Sequence, residues 1–368
     1  MQFADAETQG LLRTTARSYL AERFPRERLL ALERGDAELS RDDLRAFAEL
    51  GWMGLLAPED VGGGGGTLLD AAALFEEVGY AAVAAPVAVA NIALFLLTGL
   101  DPELARPLLR GEQLWTISEA TRGGPGVVGG AEPPISASGG RVSGTLPLVP
   151  FAALSSHVLA PAQTGDGEAY VALPLAGAEL EPAALLDRRG YANVSFRNVH
   201  VDGVARLATG RKAAELRERS DALVAAFSLV ELAGMMRRVL EMTTEHISTR
   251  MQFGQPIAKF QAARHRAAEM LMQVETTRWA AYHALWRYAQ DGSTDEIWLT
   301  KHWAVRAAAR VYEISHLLHG GVGVGMEHPL HLYTQGIAAF AVRGGTMDEL
   351  VARTLASIER SRTAEVAR

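Results

Sequence analysis

The stretch RMQFGQPIAKFQAARH, residues 250–265, decides the fold of this chain. Further along, HGGVGVGMEHPLHLY (319–333) leads into VRGGTMDEL (342–350). Between these stretches apolar residues recur at helical spacing and form one long stripe, at Ala267, Leu271, Val274, Ala281, Leu285 and Tyr288. Several such segments follow one another from about residue 211, a pattern that predicts a helical bundle.

The residues before this region change in character. In residues 116–208 glycine and proline are frequent and apolar runs are short, as in RVSGTLPLV (141–149), which predicts antiparallel strands in a small barrel or sandwich. Residues 1–115 again show helical spacing. We therefore expect an α+β, mainly α chain. Its parts are an N-terminal helical domain (1–115), a middle β-barrel or sandwich domain (116–208) and a C-terminal four-helix bundle (209–368).

Composition narrows the class of protein. Of the 368 residues 48% are hydrophobic, which is enough for a large core. A net charge of −7 without a basic tail argues against a nucleic-acid partner, and the absence of cysteine excludes disulfides and a thiol nucleophile. The longest apolar stretch, residues 81–100, contains Pro86 and Asn91, so we expect a buried helix broken at the proline and no membrane span. A cytoplasmic location is the expectation.

The glycine-rich stretch APEDVGGGGGTLLD (57–70) reads as a loop before a helix. It lacks the Gly-Lys-Ser/Thr of a phosphate loop. Thr67 is placed to cap the following helix over Asp70. Similarly, DGSTDE (291–296) predicts a turn between helices, with Ser293 or Thr294 as the cap.

Three motifs in this order, ELGWMGLLAPEDVGGGGG (49–66) and the two C-terminal stretches, resemble the acyl-CoA dehydrogenase family over essentially the whole chain. The resemblance implies that family's helical, β, helical fold and a bound FAD that oxidises an acyl-CoA thioester. It also implies a cofactor between subunits. One subunit holds the isoalloxazine ring, and its neighbour reaches across to the ADP end.

The residues that would reach a neighbour's FAD are mostly present. The resemblance assigns Arg250 to the pyrophosphate, which a guanidinium can bind through two oxygens. Gly320 and Gly321 match positions where backbone approaches the adenosine part. Without the resemblance, Arg250 would be read as a surface ion pair and the two phenylalanines of this set as core. The other matched positions are Gln252, Phe253, Phe260, Gln261 and Leu317, of which Leu317 replaces a family glutamine and is expected to lose a hydrogen bond to the cofactor.

The residues that would hold this chain's own flavin ring depart from the family pattern. In WTISEATRGGPGVVG (115–129) Ser118 and Glu119 survive, but Ala120 replaces a proline and no Gly-Ser-Asp follows. Where the family has Lys-x-Trp-Ile-Thr, this chain has Pro147, Leu148 and Val149 at the last three places. Aliphatic groups there offer neither a stacking ring nor a hydroxyl.

The catalytic base is the clearest departure. The family usually places a glutamate directly before Gly-Thr, and here that residue is Gly344. A minority place it 26 residues before the motif arginine, which gives Val224. Asp221 and Glu231 lie on the same predicted helix and are the weak alternatives, although we more readily expect Asp221 to cap a helix and Glu231 to pair with Arg237 or Arg238.

No metal site is expected. The pairs His316/His319 and His328/His331 are three residues apart, but a zinc site needs a third ligand.

The chain keeps the residues that would reach a neighbour's FAD and lacks those for its own flavin ring and the base. This pattern favours a subunit of a heteromeric, two-plus-two acyl-CoA dehydrogenase. It would help bind the FAD of a homologous, catalytically competent subunit and would not abstract the proton. The family's heteromers suggest a steroid side-chain thioester as substrate and electron-transferring flavoprotein as acceptor. Two alternatives stay open: a homomeric flavoenzyme with a relocated base, and a flavin-free scaffold of this fold.

Overall fold

The computed structural model describes residues 6–98, 102–118, 135–200, 204–343 and 347–366. Helices come first in the chain and again last, and strands lie between them. The first helices are α1 (Glu7–Arg23), α2 (Arg26–Arg34), α3 (Arg41–Glu49), α4 (Leu68–Tyr80), α5 (Val87–Thr98) and α6 (Pro102–Leu109). The last are α7 (Gly210–Thr249), α8 (Gln261–Asp291), α9 (Asp295–His319), α10 (Gly321–Val324), α11 (Leu330–Val342) and α12 (Met347–Val366).

The central strands are β1 (Trp115–Ile117), β2 (Ile135–Ser138), β3 (Arg141–Val149), β4 (His157–Thr164), β5 (Gly167–Pro174), β6 (Glu179–Ala183), β7 (Tyr191–His200) and β8 (Ala205–Thr209). They form one sheet in the order β6-β7-β3-β2-β4-β5-β8, with β1 paired to β4. Both β1 and β2 run parallel to β4, whereas the sequence predicted antiparallel pairing. They lie end to end along one edge of β4, an arrangement that alternating runs and turn residues cannot reveal. A separate hairpin contains β9 (Met251–Gln252) and β10 (Gln255–Pro256).

Two local predictions in the N-terminal part are confirmed. Thr67 caps α4: its hydroxyl accepts from the Asp70 backbone N–H at 3.2 Å, while the Asp70 carboxylate accepts from the Thr67 backbone N–H at 2.8 Å. Helix α5 begins directly after Pro86, as its fixed φ and missing N–H favour. Within the described ranges, no helix is long and apolar enough to cross a membrane.

The predicted cap in the second turn is only partly right. Thr294 precedes α9 but makes no capping hydrogen bond; its hydroxyl instead donates to Glu218 at 3.2 Å. The hydroxyl of Ser293 accepts a long hydrogen bond, 3.4 Å, from the Asp295 N–H.

Helix α4 joins the N-terminal helices to the C-terminal bundle through buried charges. Glu76 and Glu77 are fully buried, and Arg237 of α7 lies 2.7 Å from the first and 2.9 Å from the second. Arg13 of α1 and Arg278 of α8 also pair with Glu76, at 2.9 and 3.0 Å. Buried charges require such partners, so this cluster fixes how four helices pack together.

The crossing of α4 and α7 depends on two glycines. A Cβ on Gly79 would lie 2.0 Å from the backbone oxygen of Glu231, and one on Gly234 would lie 2.0 Å from that of Glu76. Neither position has room for a larger residue. The close approach brings Glu231 to the C-terminal end of α4.

The C-terminal part is a helical bundle, as the sequence predicted. Helices α7, α8 and α9 pack against one another, α11 packs on α7 and α9, and α12 packs on α9. Secondary structure changes from helix to strand near Trp115 and back to helix at Gly210. The domain limits at 115/116 and 208/209 stay predictions.

Candidate functional site

The residue matched to the pyrophosphate, Arg250, lies at the base of a hairpin that follows α7. Strands β9 and β10 are joined by Phe253 and Gly254, which have φ of 51° and 79°, the left-handed conformation that two-residue hairpin turns require. The N–H of Ile257 closes the base by donating to the Arg250 carbonyl at 3.0 Å. We call residues 250–257 the Arg250 hairpin.

The side chains of the Arg250 hairpin point to solvent. Arg250 and Gln252 are exposed, and Phe253 is 91% exposed. Its ring meets Phe260 edge-on, with ring centroids 6.0 Å apart, and Gln261 is exposed at the start of α8. A bulky residue in a left-handed turn is uncommon, and such outliers concentrate at functional sites. Phe253 is therefore not a core residue, and the structure brings these five predicted positions together on one surface.

The second matched segment is the turn after α9. Gly320 has φ of 60° and ψ of −144°, a conformation open essentially only to glycine. A Cβ on Gly320 or Gly321 would meet nothing within 4 Å, so the space in front of this turn is open. Leu317 is 61% exposed and offers an aliphatic group where the family has an amide. We call residues 317–323 the Gly320 turn.

Histidine side chains connect the Arg250 hairpin to the Gly320 turn. His246, one helical turn before Arg250, stacks on His319, the residue before Gly320, with ring centroids 4.5 Å apart. Sequence reasoning missed this contact: it placed His319 in the family motif and rejected it as a metal ligand. The available signal was the position of His246, four residues before the motif arginine. In the part of the chain that the structure describes, no group of three His, Cys, Asp or Glu residues could hold a metal.

Only part of the region matched to the chain's own flavin ring is described. Glu119 and Ala120 lie outside the described residues. Ser118 is buried, and its hydroxyl has no hydrogen-bond partner among the residues that are described. Leu148 has φ of 48° and its N–H donates to Asn193 at 3.2 Å, while Val149 is fully buried. These aliphatic side chains present no ring for stacking, so the described cradle fits an isoalloxazine poorly.

The residue at the usual base position, Gly344, lies outside the described residues, but Arg343 directly before it is described. Arg343 lies 3.7 Å from the carboxylate of Glu231, which is only 3% exposed. The same carboxylate accepts a hydrogen bond from Arg189. Arg189 in turn lies 3.1 Å from Asp187. We call these four alternating charges, Asp187, Arg189, Glu231 and Arg343, the ion chain.

This position of Glu231 corrects our expectation of a surface pair with Arg237 or Arg238. Arg237 is taken by Glu76 and Glu77, and Arg238 lies 3.4 Å from Glu241. The sequence could not show this because Arg189 comes from the loop before β7. That loop is anchored on both sides. The Phe151 N–H donates to the Arg189 carbonyl at 2.7 Å, and the Arg188 side chain donates to the Leu332 carbonyl at 2.8 Å.

The pocket beside the ion chain is small. Its cavity of about 40 Å³ lies between α4, α7, α11 and the loop that carries Arg189. Such a volume holds one to a few water molecules, whereas pockets for small molecules usually span roughly 300–1,000 Å³. In this conformation the ion chain occupies the space that Glu231 faces, and an acyl group does not fit beside it.

The other alternative base, Asp221, was expected to cap a helix, and this expectation was wrong. Helix α7 begins at Gly210, so Asp221 lies in its interior. Its carboxylate accepts from Arg353 of α12 at 3.2 Å. Burial raises the pKa of Asp221, and the Arg353 guanidinium opposes that rise. Asp221 and Glu231 are about 15 Å apart along α7, at ~1.5 Å per residue, and face different helices.

Comparison with known proteins agrees with the fold and with the matched motifs. Residues 6–100 match the family model "Acyl-CoA dehydrogenase, N-terminal domain", and residues 224–357 match "Acyl-CoA dehydrogenase, C-terminal domain". The chain is 28% identical over 334 residues to acyl-CoA dehydrogenase FadE27 of Mycobacterium tuberculosis, which covers 86% of this chain and 88% of the relative.

Two solved structures share the fold. The ChsE4-ChsE5 complex of Mycobacterium tuberculosis contains a chain with a TM-score of 0.87 and 24% identity, covering 98% of this chain and 99% of that one. A variant of the Tcur3481-Tcur3483 steroid ACAD gives a TM-score of 0.86 at 24% identity, covering 97% and 99%. With both family domains matched in order around a shared fold, the chain belongs to the acyl-CoA dehydrogenase family.

Proposed function

We propose that this chain is the non-catalytic subunit of a cytoplasmic, heterotetrameric acyl-CoA dehydrogenase that desaturates an acyl-CoA thioester between its α and β carbons. A homologous subunit supplies the base and holds the isoalloxazine ring. This chain lends the Arg250 hairpin and the Gly320 turn to that subunit's FAD.

The observation that carries the proposal is the ion chain. A general base needs a free carboxylate within hydrogen-bond reach of the substrate proton. Glu231 accepts from Arg189 and faces Arg343, and Asp221 accepts from Arg353. Both weak alternatives to the missing glutamate are therefore engaged in ion pairs. The cavity of about 40 Å³ beside Glu231 leaves no room for a thioester.

The direction in which the cofactor-binding residues point supports the second half of the proposal. Arg250, Gln252 and Phe253 are exposed on a hairpin that leaves the body of the chain, so a ligand bound there is reachable from a neighbouring subunit. The Arg250 guanidinium would bind two diphosphate oxygens, and the Gly320 turn would admit the adenosine part against backbone. FAD, when bound, accepts a hydride from the β carbon of the thioester.

Related proteins suggest a class of substrate, and the family suggests an electron acceptor. A solved structure that shares this fold is described as a steroid ACAD with two differently numbered components, and another is a complex of ChsE4 and ChsE5. We infer a CoA thioester with a bulky, steroid-like acyl group as the substrate. We propose an electron-transferring flavoprotein as the electron acceptor, because the resemblance to the acyl-CoA dehydrogenase family implies one.

The test uses this chain co-expressed with a homologous subunit that keeps Glu-Gly-Thr. Arg250→Gln in this chain alone is expected to strip FAD from the purified complex, because the diphosphate loses its only assigned cation. Arg211→Gln is the matched control. It lies on the same helix but about 58 Å away at ~1.5 Å per residue, and it is expected to keep FAD. Retention of FAD by Arg250→Gln, or turnover after the partner's glutamate is replaced by glutamine, contradicts the proposal.

A further inference from the structure

Three imidazole rings lie between the Arg250 hairpin and the Gly320 turn. The rings of His246 and His319 are nearly parallel, at 24°, with centroids 4.5 Å apart. The ring of His328 also meets that of His319, edge-on at 61°, with centroids 5.0 Å apart. We call these three residues the histidine stack. Aromatic pairs at such separations attract one another.

The histidine stack lies next to both segments in the chain. The Arg250 N–H donates to the His246 carbonyl at 2.9 Å and ends α7 there. His319 ends α9, and Gly320 follows it directly. Across the stack, residues 250 and 320 are thus held in one arrangement although they belong to different helices.

Burial of the rings favours neutral imidazoles. His319 is 4% exposed, its Nδ1–H donates to the Ser315 carbonyl at 2.8 Å, and its Nε2 has no hydrogen-bond partner within the described ranges. Burial lowers the pKa of His319 to about 4 and also lowers the pKa values of His246 and His328. A proton on any of the three would create a buried or half-buried cation against its neighbours.

The charges around the histidine stack strengthen this preference. Through charge repulsion, Arg250 lowers the pKa of His246, Arg26 lowers that of His328, and His316 lowers that of His319. His331 also lies near His328, but it is paired with Glu33 at 3.0 Å. The arginines are permanently cationic, so a proton on the stack is repelled by them. The Glu33 carboxylate does not offset this repulsion, because it is already paired with His331.

We propose that the histidine stack is the joint that holds the Arg250 hairpin against the Gly320 turn and makes the two segments one binding surface for the diphosphate of a dinucleotide. The ligand class rests on the proposed function, whereas the joint itself does not. The stack acts by positioning and makes no contact with the reacting atoms. Its contribution is lost as acid protonates it, so diphosphate binding weakens as the pH falls. If an imidazolium contacted the phosphate directly, diphosphate binding would instead become stronger as the pH falls.

The first experiment measures amide hydrogen exchange of the purified chain, with its partner subunit where it needs one. His246→Ala removes one ring at the end of α7. We expect faster exchange both in the Arg250 hairpin and in the Gly320 turn, where Gly320 N–H donates to His316 at 2.9 Å. His283→Ala is the control, since this histidine of α8 has a side chain that is 45% exposed, and it is expected to change neither segment. If exchange in the Gly320 turn is unchanged in His246→Ala, the histidine stack does not hold the two segments together.

The second experiment measures FAD affinity of the complex as a function of pH. His246→Ala is expected to weaken FAD binding about two- to tenfold near neutral pH, the range for loss of one aromatic pair. His246→Phe keeps a ring that cannot titrate, and should bind normally and lose less affinity in acid. Affinity that rises in acid, or a His246→Phe profile as steep as that of the wild type, overturns the positioning role. A complex without any FAD refutes the proposed function, and hydrogen exchange still decides whether the joint exists.

Discussion

Replacing Arg189 by methionine tests how much the buried ion chain stabilises the structure around the pocket. Arg189 is 8% exposed and Glu231 is 3% exposed, so the substitution leaves a buried carboxylate whose remaining partner in the ion chain is Arg343, at 3.7 Å. Removing one partner of a buried ion pair costs about 3–5 kcal/mol. We expect Arg189→Met to lower the free energy of unfolding by about that amount, measured by urea unfolding with tryptophan fluorescence.

Two further variants identify the cause of this loss. Adding Glu231→Leu to Arg189→Met removes the orphaned charge, so the double variant should be more stable than the single one. Arg197→Met is the matched control, since Arg197 is 80% exposed and lies 3.0 Å from Glu179; it should cost less than about 1 kcal/mol. If Arg189→Met lowers the free energy of unfolding no more than Arg197→Met does, the ion chain does not stabilise the structure around this pocket.

Three other perturbations have expected outcomes. Gly320→Ala should lower the free energy of unfolding in urea by about 1–3 kcal/mol, because alanine does not readily adopt the φ and ψ of Gly320. Gly10→Ala within α1 should instead raise it by about 0.5–1 kcal/mol. Equal effects of the two substitutions contradict the conformational argument. Asp221→Asn and Glu231→Gln should leave the turnover per folded complex unchanged, although Glu231→Gln also lowers stability by removing a buried charge of the ion chain; a collapse of turnover in complex that is still folded supports a relocated base instead. The depressed pKa of His319, about 4 against 6.5, means that its contribution to stability is fully present above pH 6.5 and is lost as the pH falls toward 4. We expect about 2 kcal/mol to be lost near pH 5, and His319→Gln should remove that part of the pH dependence in urea unfolding.

Local sequence signals predicted the fold well. Thr67 and Asp70 are three residues apart, and the restraint at Pro86 acts on the next residues, so both helix starts could be predicted from neighbours alone. The five positions around the Arg250 hairpin lie within twelve residues of one another and were also found together. Asp221 was misjudged because the sequence does not show that a single helix, α7, runs without a break for 40 residues through this position.

The contacts that decide the proposed function were invisible to periodicity. The pair between Arg189 and Glu231 joins a loop of the β region to α7, 42 residues apart in the chain. The stack of His246 on His319 joins the ends of two different helices. Residue type and spacing report on one element at a time, whereas both contacts depend on how separate elements cross, as at Gly79 and Gly234.

The most direct test of whether this chain serves only its partner's FAD is the FAD content of the purified complex. It is measured from the visible absorbance and the protein concentration. We predict about one FAD for each pair of this chain with its competent partner, and a colourless preparation when the chain is purified alone. One FAD per copy of this chain, together with oxidation of a thioester in the absence of any partner, would contradict the account.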